Sequence, residues 1–151
     1  MKVNNMVKTI KQIHKEDIVM IKIGNFYHVY GKDAYIISHI FDYKIKDEDG
    51  VYTAGFPINS INKIKARLEE LKINYLLLDK RNNYEVDEIS DNKNLNTYSK
   101  YYEKARKDAL YKIRVEKIYN YMKENISKKE CRETILKVEE MIDERRKIQS
   151  N

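Results

Sequence analysis

From Lys22 to Ala34 the chain reads Lys-Ile-Gly-Asn-Phe-Tyr-His-Val-Tyr-Gly-Lys-Asp-Ala, and these are the residues whose types and spacing could act on a partner. A strand that turns at Gly24-Asn25 and resumes at Phe26 alternates its side chains, so Phe26 and His28 share one face and Tyr27 and Val29 the other. If the sheet is half buried, one of these pairs faces out. An exposed ring beside a hydrogen-bonding side chain can work as a wedge on nucleic acid: the ring stacks on or between bases and its polar neighbour touches a base edge. Lys22 before the turn and Asn25 within it complete a candidate nucleic-acid-binding set of Lys22, Asn25, Phe26 and His28. A second reading places Phe26 in the core and leaves His28 an incidental surface residue.

Other chemistries find little support. The phosphate-cradling pattern GxxxxGK[ST] is absent, so nothing argues for nucleotide hydrolysis. His14, His28 and His39 are not spaced at i and i+4, and the single Cys131 forms neither a CxxC pair nor an intramolecular disulfide, so neither a metal nor any other cofactor is implied. The acids Asp47-Glu48-Asp49 fall in an expected turn, where they serve solubility rather than catalysis. A non-enzymatic protein is therefore expected, and cysteine usage together with the lack of a signal-peptide pattern places it in the cytoplasm. No apolar run approaches the roughly 20 residues of a membrane span.

Charge adds a direction. Residues 1–92 carry 14 Lys or Arg and 14 Asp or Glu, so the whole net charge of +6 lies in residues 93–151. A basic tail beside a neutral domain suits a phosphate-backbone partner, because Lys and Arg release condensed counterions when they neutralise phosphates. A solvated, Lys-rich helix surface accounts for the same numbers.

The elements that must position this segment follow from periodicity. Ile18 to Ile23 and Phe26 to Tyr30 read as strands, and Asp33 is placed to cap a short helix through Phe41. Tyr43–Lys46 and Val51–Ala54 flank an Asp47–Gly50 turn as a hairpin. Asn59 or Ser60 can cap a helix with the stripe Ile61, Ile64, Leu68 and Leu71. Tyr75–Leu78 is a buried strand by its continuous apolar character, and Tyr84–Ile89 pairs with it across Arg81-Asn82-Asn83. Helices alternating with hairpins predict an α+β domain over residues 1–92, with a mixed sheet and packed helices. After a polar linker over Ser90–Leu95, residues 93–151 turn helical. Tyr98, Tyr101, Tyr102, Ala105, Ala109 and Ile113 form one stripe, and a capping box at Ser127–Glu130 opens a second helix with Cys131, Ile135, Val138, Met141, Ile142 and Ile148. Such a helical hairpin must bury its stripes on itself, on the first domain or on a partner chain.

Two blocks carry a family resemblance. Gly24-Asn25-Phe26-Tyr27-His28, followed by Asp33-Ala34, resembles the Gly-Asp-Phe-Tyr-Glu strand and Asp-Ala helix start of the mismatch-recognition domain at the N-terminus of the DNA repair protein MutS. Ala54-Gly55-Phe56-Pro57 resembles that family's Ala-Gly-Ile-Pro block, and Tyr75-Leu76-Leu77-Leu78-Asp79 its next strand; the match runs in order over roughly residues 15–90. The resemblance implies that Phe26 inserts beside a mispaired or unpaired base from the minor groove, and that His28 stands where the family's Glu hydrogen-bonds the displaced base. Here the pattern departs: His28 lacks the carboxylate's negative charge, and Asn25 replaces the family's Asp. The ATPase and clamp domains of MutS have no room in this chain, so the resemblance implies an accessory or stand-alone binder of duplex DNA or an RNA/DNA hybrid. Small proteins of this kind look similar to accessory proteins encoded beside reverse transcriptases in diversity-generating retroelements, which would make a polymerase or reverse transcriptase a partner. The alternative is an interaction module with a decayed recognition surface, recruiting a polymerase or forming a homo-oligomer through the C-terminal helices.

Overall fold

A strand whose residues are apolar on both faces belongs at the centre of a covered sheet, and Ile18-Val19-Met20-Ile21 is such a run. In the computed structural model, which describes residues 3–91 and 96–150, it forms the core of β1 (Ile18–Ile23). The other strands are β2 (Phe26–Tyr30), β3 (Lys46–Glu48), β4 (Val51–Pro57), β5 (Tyr75–Asp79) and β6 (Glu85–Ile89). They make one six-stranded sheet in the order β3-β4-β2-β1-β5-β6. Among the described residues only the β1/β5 pairing is parallel, so the sheet is mixed. The helices are α1 (Val3–Ile13), α2 (Lys32–Phe41), α3 (Ile61–Glu70), α4 (Thr97–Glu124) and α5 (Lys129–Ser150). The fold is α+β.

The two faces of the sheet are covered unequally. On one face Ile18, Met20, Tyr27, Val29, Phe56 and Tyr75 meet α2, α3 and the start of α4 in the main core. The stripe expected for α3 is there, with Ile64 and Leu68 fully buried and Ile61 and Leu71 packed at its edge. On the other face Val19, Ile21, Leu76 and Leu78 meet Val7 of α1, with Val3 and Ile10 alongside. That second cluster includes no residue of β3 or β4.

Several local expectations are corrected. The helix α1 is missing from the sequence reading, although Val3, Val7 and Ile10 at i, i+4 and i+7 mark it. Asp33 is not a cap. It lies inside α2, wholly buried, while Gly31 holds the N-cap position with no side-chain bond. The β3/β4 hairpin turns on Asp49-Gly50 alone, because Glu48 pairs with Val51 and both loop residues have positive φ, as a type I′ turn demands. Tyr43, expected in a strand, instead stacks on Phe56 with ring centroids 5.6 Å apart. Ser60 precedes α3 without making a cap bond, since a 3₁₀ turn over Ile58–Ser60 leads into the helix. Most of the expected linker lies outside the described residues.

The chain divides into two compact units, Met1–Leu110 and Tyr111–Asn151. The division falls within α4, beyond the boundary read near residue 92, because Tyr98 and Ala105 belong to the main core. In the second unit Cys131 is buried, its thiol donating to the Met122 carbonyl at 3.5 Å. The stripe expected along α5 is otherwise mostly in solvent: Val138, Met141, Ile142 and Ile148 are all exposed. Among the described residues no helix is long and apolar enough to cross a membrane.

Candidate nucleic-acid interface

A two-residue loop, Gly24-Asn25, joins β1 to β2, since Ile23 pairs directly with Phe26. Gly24 takes φ +62° and Asn25 does not have positive φ, the pattern of a type II′ turn that asks for glycine first. The turn is tied to the far side of the site by the Ile58 N–H, which donates to the Asn25 carbonyl at 3.0 Å. Phe26 therefore leaves a corner pinned by a backbone hydrogen bond.

From that corner the side chains alternate. Tyr27 and Val29 are buried, and Tyr27 stacks on Phe56 at 5.7 Å. Phe26 points the other way and is 48% exposed. His28 shares its face, half-buried. The cross-strand partner of His28 is Gly55. A Cβ there would stand 3.7 Å from the imidazole Nδ1, in ordinary van der Waals contact with the ring. Around these residues lies a cleft of about 250 Å³, lined also by Lys44, Lys46 and Glu48.

Burial holds the His28 imidazole below its ordinary 6.5; Glu48 pulls it up and Lys46 pushes it further down. At neutral pH the ring is uncharged, offering one donor and one acceptor. The arrangement thus combines a flat hydrophobic ring, a neutral hydrogen-bonding ring and nearby ammonium groups on one open face.

The four sequence-predicted residues are not all brought together. Phe26 and His28 share the open face, and Asn25 sits exposed in the turn before them. Lys22 pairs with Tyr27 and lies on the opposite face with Met20, so its charge is not beside the two rings. Sequence reasoning missed Lys46, which the β3/β4 register carries to this cleft. Its signal was the parity of the hairpin, which depends on knowing that the turn is Asp49-Gly50. Among the described residues no group of three or more His, Cys, Asp or Glu could hold a metal ion.

The model of the family described as MutS domain I matches residues 2–81, more than half of the chain. The chain belongs to the MutS domain I family. That match includes α1, both strands that flank the Gly24-Asn25 turn and the whole of β5, so the open face described above lies within the MutS domain I. MutS domain I is a mismatch-recognition domain without catalytic chemistry, and membership supports a DNA-binding role in general. No curated protein matches the chain.

Proposed function

We propose that the protein is a non-enzymatic nucleic-acid binder that recognises mispaired or distorted duplex by inserting the ring of Phe26 into the base stack. His28 hydrogen-bonds the adjacent base as a neutral imidazole, and Asn25 lies against the sugar-phosphate backbone beside it. The observation that carries this reading is the exposure of Phe26 at the start of a strand whose next residue is buried. A phenylalanine half in water at a tight turn has its desolvation still to gain, and a base stack supplies the apolar surface.

Phe26→Ala is expected to weaken binding to a mismatched or bulged duplex by about 1–3 kcal/mol, the worth of one stacking contact, with much less effect on a perfect duplex. Fluorescence anisotropy on labelled duplexes reads this directly. Equal affinities of parent and variant for the mismatched duplex would remove the wedge.

A second reading draws on the second unit, where Tyr111, Val115, Ile118 and Tyr119 of α4 and Met141 and Ile142 of α5 are exposed. That much apolar surface fits an interaction module that docks on a polymerase or reverse transcriptase, or on a second copy of the chain. Titration of duplex at two salt concentrations separates the two, since negligible binding even at low salt favours the module.

A further inference from the structure

A second concavity lies on the same face of the sheet, under α1. It measures about 420 Å³, within the range of small-ligand pockets, and no carboxylate lines it among the described residues. Val7, Tyr30 and Val51 form an apolar wall, and Lys8, Lys11, Lys15 and Lys32 surround it. Lys8 and Lys11 stand three residues apart on one face of α1, and Lys15 lies in the turn that follows the helix. Lys11 is already engaged: its ammonium donates to the Asp33 carboxylate at 2.9 Å and to the Asp17 carbonyl at 2.6 Å. Lys8, Lys15 and Lys32 have no carboxylate partner among the described residues. Lys32 lies over the Tyr102 ring at 4.9 Å, which fixes its position without cancelling its charge. Tyr30 keeps its proton, since burial, with Glu48 and Tyr84 adding to it, pushes the phenol up to about 12. Three exposed cations without a carboxylate partner thus border an apolar hollow wide enough for an anion that carries a flat group.

We propose that this cavity is a nucleotide-phosphate site, in which Lys8, Lys15 and Lys32 neutralise the phosphate while Val7, Tyr30 and Val51 flank the attached nucleoside. The phosphate has two possible sources, a free mononucleotide or a nucleotide within a strand. Tyr30 and Phe26 lie on one face of β2 about 13 Å apart, so a strand that engages the wedge also reaches the cavity. The site does not rest on the wedge reading, because none of its residues lines the cleft at Phe26.

The test uses the full chain and Lys8→Gln with Lys15→Gln, leaving Lys11 in place for Asp33. Titration with deoxyadenosine monophosphate, followed by nuclear magnetic resonance, is expected to shift the signals of Val7, Tyr30 and Val51, while deoxyadenosine leaves them in place. The double variant is expected to weaken that binding roughly tenfold or more, the loss of about one charge-assisted hydrogen bond. If the mononucleotide is silent, a fall of about 1–2 in the slope of log affinity against log salt for duplex, caused by the double variant, assigns the phosphate to a strand and upholds the site. A silent mononucleotide together with an unchanged salt slope, or with no duplex binding at all, overturns it. Phe26→Ala is expected to leave both phosphate readouts intact, so failure of the wedge and failure of this site are told apart.

Discussion

The imidazole of His28 shares its strand face with Phe26, and its low affinity for protons makes binding pH-dependent in a defined direction. Burial favours the neutral ring in the folded chain, so the unfolded chain takes up a proton first, near 6.5. The stabilisation that comes from holding the ring neutral is present above that value and is lost as pH falls through it toward the lower folded value. Binding runs the opposite way, because a protonated ring is attracted to phosphate. Affinity for duplex is therefore expected to rise as pH is lowered below 6.5 toward the lower value of the folded ring, and His28→Gln, which keeps a neutral donor and acceptor, is expected to flatten that rise. An identical pH profile in the variant would show that His28 does not face the nucleic acid. Restoring the family's residue with His28→Glu is expected to lower general duplex affinity, since a carboxylate is repelled by phosphate.

Four elements are tied together by one buried carboxylate. Asp33 of α2 accepts from the Val19 N–H of β1 at 3.0 Å, from Lys11 of α1 at 2.9 Å and from the Tyr98 hydroxyl of α4. Burial raises the Asp33 carboxyl above its ordinary value; Lys11, Tyr98 and the Val19 N–H pull it back. The same contact, with burial the larger influence, drives the Tyr98 phenol far upward. Asp33→Ala leaves the Val19 N–H and the Tyr98 hydroxyl buried without an acceptor, at about 1–3 kcal/mol for each, and frees α1 from its anchor. Tyr98→Phe removes one bond to a charged group and is expected to cost about 1.5–3 kcal/mol. Urea denaturation measures both, and a variant as stable as the parent would show that the network is not what holds α1 and α4 to the sheet. Since α1 carries the lysines of the proposed phosphate site, this anchor also positions that site.

At the scale of the molecule, the division inside α4 makes a prediction about where the chain can be cut. A chain ending at Leu110 keeps Tyr98, Ala105 and Ala109, all buried, and is expected to unfold cooperatively. One ending at residue 92 loses the Tyr98 ring and its hydrogen bond, and is expected to be less stable by about 3 kcal/mol or more, the usual loss for a large buried aromatic. Equal stabilities of the two by urea denaturation would show that α4 adds nothing to the core. The net charge divides evenly at this boundary: residues 111–151 hold 11 Lys or Arg against 8 Asp or Glu, leaving half of the +6 in the first unit. The positive charge available to a phosphate backbone is thus shared by both units, which differs from the neutral domain and basic tail seen when the chain is divided at residue 92.

Much was legible in the residues alone, and the reason is periodicity. Alternation through Phe26–Tyr30 placed Phe26 and His28 together, the continuous run Tyr75–Leu78 announced a covered strand, and the Ile64–Leu68 stripe announced α3, because one dominant period in each segment admits one backbone conformation. The sequence could not decide which face of β2 looks outward, since both alternating pairs contain an aromatic ring. Only the packing of Tyr27 on Phe56, three-dimensional and non-local, turned Phe26 toward solvent. The role of Asp33 was hidden for the same reason: a helix-start aspartate looks like a cap until Lys11, Val19 and Tyr98 arrive from 22, 14 and 65 residues away. Local pattern determines elements and their faces; which charges are buried, and which rings are left in water, is settled by contacts between segments that do not see one another along the chain.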